Sequence, residues 1–166
     1  MRVGVLALQG AFIEHERAYR KKGDEVFEIR QLADLERPFD LLILPGGEST
    51  VQAKLLHDLE MFEPIKALIA AGLPTIGTCA GLILLANHFR LLPVEVIRNA
   101  YGRQLGSFTT IGPCDGRENV TMTFIRAPSI ATVSPDVEVL STFDGRPTAV
   151  RYRNMTAYCW HPELTA

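Results

Sequence analysis

Apolar positions recur with two different periods along this chain, and the first half switches between them repeatedly. Val3-Gly4-Val5-Leu6-Ala7-Leu8 is a near-continuous apolar run, as expected of a parallel-sheet strand covered on both faces. Gln9-Gly10 breaks it. Phe12, His15, Ala18 and Tyr19 then recur at helical spacing with charged residues between them, and Gly23 supplies a stop. Further strands are predicted over residues 26–30 and 41–44, the latter ended by Pro45-Gly46-Gly47. Val51, Leu55, Leu56 and Leu59 fall on one face of the next helix. Ile65, Leu68 and Ile69 do the same on another, which Pro64 opens and Gly72 closes. Residues 74–78 read as a short strand and 80–87 as a helix.

After Leu92 the helical period disappears. Residues 94–97, 107–111, 121–125, 137–142, 148–152 and 156–160 read as strands, with Asp144-Gly145 as a hairpin turn. Alternating strands and helices followed by consecutive strands imply an α/β fold. Its central sheet is mostly parallel, with helices on both faces and additional antiparallel strands. No internal repeat or linker interrupts the 166 residues, so a single domain with one shared core is expected.

Composition narrows the function classes. Hydrophobic residues make up 47% and charged residues 22%, the balance of an ordinary globular chain. The net charge of −2 leaves no basic excess for phosphates, which argues against a nucleic-acid partner. No apolar run approaches the roughly 18 residues needed to span a bilayer, and Met1-Arg2-Val3-Gly4-Val5 lacks the start of a signal peptide. Cys79, Cys114 and Cys159 are scattered and lack metal-ligand spacing, so a reduced, cytoplasmic protein without a metal site is expected.

Gly77-Thr78-Cys79-Ala80-Gly81 joins a strand to a helix and has the form of a nucleophile elbow with Cys in place of Ser. Cys79 would stand at a helix N-terminus, where the dipole favours thiolate. The Ala80 N–H could face a developing oxyanion. The pentapeptide alone also suits a buried structural cysteine beside two packing glycines. His161 follows a predicted strand and could serve as base, with Glu163 orienting it; a surface His near a solvated Glu is the plainer alternative. His15, His57 and His88 lie on predicted helices and read as surface or partly buried residues. Pro45-Gly46-Gly47-Glu48-Ser49-Thr50 ends a parallel strand at the same sheet edge, where α/β proteins bind ligands. Its glycines admit a close ligand, and Ser49 or Thr50 could cap the helix.

These three motifs together resemble the class I glutamine amidotransferases, and most of all the branch that supplies glutaminase subunits to pyridoxal 5′-phosphate synthase. The resemblance rests on residues 5–10, 44–50, 77–86, 98–104, 124–128 and 161–165, in family order from end to end. It implies a glutaminase that converts L-glutamine and water to L-glutamate and ammonia with no cofactor. Cys79 would be the nucleophile, His161 the base and Glu163 its orienter. The oxyanion would be held by Ala80 and the Gly46-Gly47 turn. Gly47, Glu48, Ser49, Arg98, Ile125 and Arg126 would bind glutamine. The ammonia-accepting synthase subunit would be the partner, with Gln9-Gly10 relaying its docking to the oxyanion hole. A glutaminase of another pathway and a Cys-dependent hydrolase or stress protein of similar fold are the alternatives. The stretch between Ala86 and Arg98 is shorter than is usual in this family.

Overall fold

The computed structural model describes residues 1–97, 108–125 and 127–165. Five strands pair in parallel in the order β2 (Glu25–Ile29), β1 (Arg2–Leu6), β3 (Leu41–Leu44), β4 (Thr75–Thr78), β11 (Met155–Tyr158). β10 (Arg146–Tyr152) and β9 (Glu138–Phe143) extend the same sheet antiparallel. Between these strands lie α1 (Phe12–Lys21), α2 (Ser49–Asp58), α3 (Phe62–Ala70) and α4 (Ala80–Ile83), the last running into a π-helical turn over Leu84–His88.

The strand pleat decides which helix covers which face. Val3, Val5, Leu41 and Ile43 point to one side, where Phe12 and Tyr19 of α1 pack on them. Leu6, Leu42 and Leu44 point to the other, where they meet Ala53 and Leu56 of α2, Ile65 and Ile69 of α3, and Leu82 of α4. β1 and β3 therefore need apolar residues on both faces, which is why they read as continuous runs rather than alternations. The larger core continues into Met122, Phe124, Ile130, Val150 and Trp160, so the α/β half and the strand-rich half bury their apolar surface together.

Two antiparallel pairs complete the fold: β5 (Val94–Ile97) with β8 (Ser129–Val133), and β6 (Phe108–Cys114) with β7 (Arg117–Phe124). β8 is not predicted from sequence, because Ser129-Ile130-Ala131-Thr132-Val133 carries little apolar signal until β5 pairs with it. The Asp144-Gly145 hairpin forms as expected, with φ of 52° and 75° at its two residues. That double positive φ is the type I′ geometry that matches strand twist.

The apolar stripe expected of α2 is corrected. Val51 and Leu59 are 44% and 41% exposed, and the buried face is Ser49, Gln52, Ala53 and Leu56. The helix is rotated because Gln52 turns inward and donates to two loop carbonyls, those of Gln9 and Pro45. Among the described residues no helix is long and apolar enough to cross a membrane.

One polar side chain fixes how β11 sits beside β4. Asn154, in the β10–β11 turn, donates from Nδ2 to the carbonyls of Ile69 (2.8 Å) and Leu73 (2.6 Å). Its own carbonyl accepts the Thr75 N–H at 2.9 Å. Asn154→Ala strips a donor from both carbonyls and is expected to cost about 1–3 kcal/mol, read from the urea unfolding midpoint.

Candidate active site

The site is built where β4 turns into α4. Cys79 has φ 49° and ψ −102°, a backbone conformation that costs a non-glycine residue energy and persists only when its surroundings hold it. Here the Cys79 N–H donates to Tyr158 O (2.8 Å) and Cys79 O accepts from Ile83 N–H (3.2 Å). The flanking glycines are demanded by packing. A Cβ on Gly77 would stand 2.7 Å from the Gly81 carbonyl group, and one on Gly81 would overlap the Leu44 carbonyl oxygen. The helix can sit this close to β3 and β4 only with hydrogen at both positions.

β11 delivers the second component. Its register sets Tyr158 beside Thr78, so the residues after each strand emerge together. His161 Nε2 lies 3.1 Å from Cys79 Sγ, and His161 Nδ1 lies 2.6 Å from Glu163 Oε1. All three residues are buried. The His161 N–H donates to Thr123 O at 2.9 Å, and a 3-10 turn over Pro162–Thr165 swings Glu163 back under the ring.

Burial pushes the Cys79 thiol up, against the hydrogen bond and charge of His161, which pull it down. Cys79 is the N-cap of α4, the helix N-terminus at which the sequence sets it. α4 continues without a break from its four α-helical residues into the π-turn. For His161, burial disfavours the imidazolium, but the hydrogen bonds and charges of Cys79 and Glu163 outweigh it and push its pKa up to about 10. The thiol and imidazole titrate as a pair. The arrangement can pass a proton from sulfur to a basic, oriented imidazole.

The Gly46-Gly47 turn faces this pair. A Cβ on Gly46 would meet His161 Cε1 at 2.9 Å and Cys79 Cβ at 3.7 Å. Gly47 has φ +151°, and a Cβ there would meet Gln9 Oε1 and the Gly10 Cα. The Ala11 N–H donates to Gly46 O (3.0 Å), Gln9 Oε1 accepts the Glu48 N–H (2.9 Å), and Gln52 Nε2 bridges Gln9 O (3.1 Å) and Pro45 O (3.2 Å). Gln9-Gly10 and Gly46-Gly47 thus form one clamped unit. Ala80 is buried directly after Cys79.

Ser49 is the buried first residue of α2. The N-cap is Glu48, whose side chain makes no capping bond, so the capping role expected of Ser49 or Thr50 is corrected. Ile125 is exposed just beyond β7, two residues after the Thr123 carbonyl that holds His161. Arg98 and Arg126 lie outside the described residues. Sequence reasoning misses Gln52, and it misplaces His15, which is 2% exposed rather than on the surface or partly buried. His15 Nε2 lies 3.1 Å from Thr78 Oγ1 and 3.2 Å from Glu163 Oε2. Its place on the Phe12, His15, Ala18, Tyr19 face was the available signal.

Residues 5–166 match the SNO glutamine amidotransferase family. The chain belongs to that family. It is 53% identical over 171 residues to the pyridoxal 5′-phosphate synthase subunit PdxT of Methanocorpusculum labreanum, covering 99% of this chain and 90% of that one. To the subunit of the same name from Haemophilus influenzae strain PittEE it is 49% identical over 176 residues, covering 99% and 92%. A crystal structure of a glutamine amidotransferase superposes with a TM-score of 0.91 at 38% identity, covering 98% of this chain and 91% of that one. A glutamine amidotransferase from Thermotoga maritima shares the fold, with a TM-score of 0.72 at 18% identity over 98% and 76% of the two chains. Membership in the glutamine amidotransferases agrees with the elbow and the sheet order seen here.

Gly81→Ala tests the elbow's packing. The added methyl must drive α4 away from β3, and the expected loss is about 1–3 kcal/mol or more in chemical denaturation, the range for overpacking a rigid site. Gly23→Ala, where a Cβ meets nothing within 4 Å, controls for a glycine at positive φ in open space.

Proposed function

We propose that Cys79, His161 and Glu163 are the catalytic triad of this glutaminase, and that the chain acts as a single glutaminase domain. The observation that carries the reading is the continuous hydrogen-bonded series from Sγ through the imidazole to the Glu163 carboxylate. Cys79 Sγ attacks the side-chain amide carbon of L-glutamine while His161 Nε2 takes the thiol proton. Charge collects on the amide oxygen, which the Ala80 N–H and an N–H of the Gly46-Gly47 turn stabilise. His161 returns the proton to the nitrogen, ammonia leaves, and a thioester remains on Cys79. Water, deprotonated by His161, hydrolyses the thioester to L-glutamate and restores the thiol. Glu163 keeps the imidazole in the required tautomer and stabilises its cation. No step calls for a cofactor.

Gly47, Glu48, Ser49, Arg98, Ile125 and Arg126 are assigned to glutamine binding, with the two guanidinium groups suited to the substrate's carboxylate. The relatives' name supplies the partner. We infer that the ammonia goes to a synthase subunit that builds pyridoxal 5′-phosphate, in the cytoplasm. Ammonium is no nucleophile, so the product has to pass between docked subunits before it is protonated by bulk water. The Gln9–Gly47 clamp supports a coupling of docking to catalysis: a partner that moves Gln9 moves the peptide beside Cys79.

Cys79→Ala is expected to lower ammonia release from glutamine by at least about 10³-fold, and His161→Ala nearly as much, without additivity in the double variant. Glu163→Gln is expected to be milder. Cys114→Ala and Cys159→Ala keep activity if they fold, and a glutamine-like electrophile labels Cys79 alone. A second measurement compares the rate with and without the synthase subunit. One oriented oxyanion donor is worth about 10²–10³ in rate, so activation stays within that range.

A further inference from the structure

We propose that His15 is a positioning residue of the active site: its imidazole stands with Nε2 against the outer oxygen of Glu163 and holds the carboxylate that orients His161. This rests on the triad reading above.

The two oxygens of Glu163 have different company. Oε1 contacts His161 Nδ1 at 2.6 Å. Oε2 is fully buried and has no hydrogen-bond partner among the described residues; the polar atom facing it is His15 Nε2, at an ion-pair distance of 3.2 Å. A buried carboxylate oxygen left without a donor is expensive. His15 comes from α1, more than a hundred residues away in sequence, and is held in place by Thr78 Oγ1 at 3.1 Å, the residue just before the nucleophile. α1 therefore reaches across the sheet edge to both β4 and the C-terminal turn.

The charge state of His15 is what makes the contact useful. The charged and titratable groups facing it are Glu163 and His161 from the C-terminal turn and Glu14 from its own helix. Burial lowers its pKa, followed by attraction to Glu163, which raises it, and repulsion from His161, which lowers it. With Nε2 3.2 Å from a carboxylate, the tautomer carrying hydrogen on Nε2 is favoured. Thr78 Oγ1 can accept from the same N–H. A neutral imidazole faces Oε2 with an N–H dipole without cancelling the negative charge that makes His161 basic. A cation in the same place would neutralise Glu163 and weaken the base.

The test compares His15→Ala and His15→Gln, whose amide nitrogen can replace Nε2 as a neutral donor. Glutamine hydrolysis is measured across pH with the synthase subunit present, and folding is checked by thermal unfolding. His15→Ala is expected to lower kcat about tenfold with KM little changed. It should also move the acid limb of the kcat/KM profile to higher pH, because an unsupported carboxylate holds the imidazolium more tightly. His15→Gln is expected to restore both. Wild-type kcat and pH profile in a folded His15→Ala protein would overturn the proposal. So would equal losses in both variants that follow their loss of thermal stability, which would make His15 a space-filling residue. Cys79→Ala is assayed alongside: activity retained there sinks the triad reading itself, whatever the His15 variants do.

Discussion

The parallel pairing of β4 with β11 is the constraint on which the site depends. Cys79 and His161 are 82 positions apart in sequence, yet their separation in space is set by one register, Tyr158 against Thr78. Side chains alternate across a strand, so a slip of one residue would carry His161 to the wrong face. The register is pinned at both ends. Asn154 ties the entry of β11 to the carbonyls that precede β4, and the Cys79 N–H bonds Tyr158 O at its exit. The antiparallel half contributes through β7, whose Thr123 carbonyl takes the His161 N–H.

Four ionisable side chains, Cys79, His161, Glu163 and His15, are buried at this edge, and the first three are joined in series. Burial favours the neutral form of the Cys79 thiol and pushes it up. His161 goes the opposite way because its hydrogen bonds to Cys79 and Glu163, with the charge of the carboxylate, outweigh its burial. The proton therefore has a strong acceptor waiting beside a thiol that holds it. The hydrogen bond and charge of the ring pull the thiol down, against its burial.

Much of this was legible in the chain. The doubly apolar runs of β1 and β3, the turn residues Asp144-Gly145 and the glycine pair around Cys79 each carry a local physical cause that sequence exposes. What was not legible depended on partners distant in sequence. β8 is a strand because β5 lies beside it. α2 turns a glutamine inward because two loop carbonyls need a donor. His15 looked like one polar residue on an amphipathic helix, and only the meeting of α1 with the C-terminal turn shows that Glu163 lies opposite it. The spacing of Phe12, His15, Ala18 and Tyr19 already set that residue on the buried face.

The carboxyl edge of the sheet gathers the rest. Four neighbouring parallel strands end there: β1 in Gln9-Gly10, β3 in Gly46-Gly47, β4 in Cys79 and β11 in His161. The first two loops approach so closely that a Cβ on Gly10 would overlap the Gly46 carbonyl oxygen, and Gln52 stitches them from below through two carbonyls. Gly46 in turn lies against the His161 ring. A displacement of the β1 loop therefore cannot stay local, because close-packed backbone transmits strain rather than absorbing it. The clamped loops thus link Gly10, exposed in the loop after β1, to the buried Cys79 and His161.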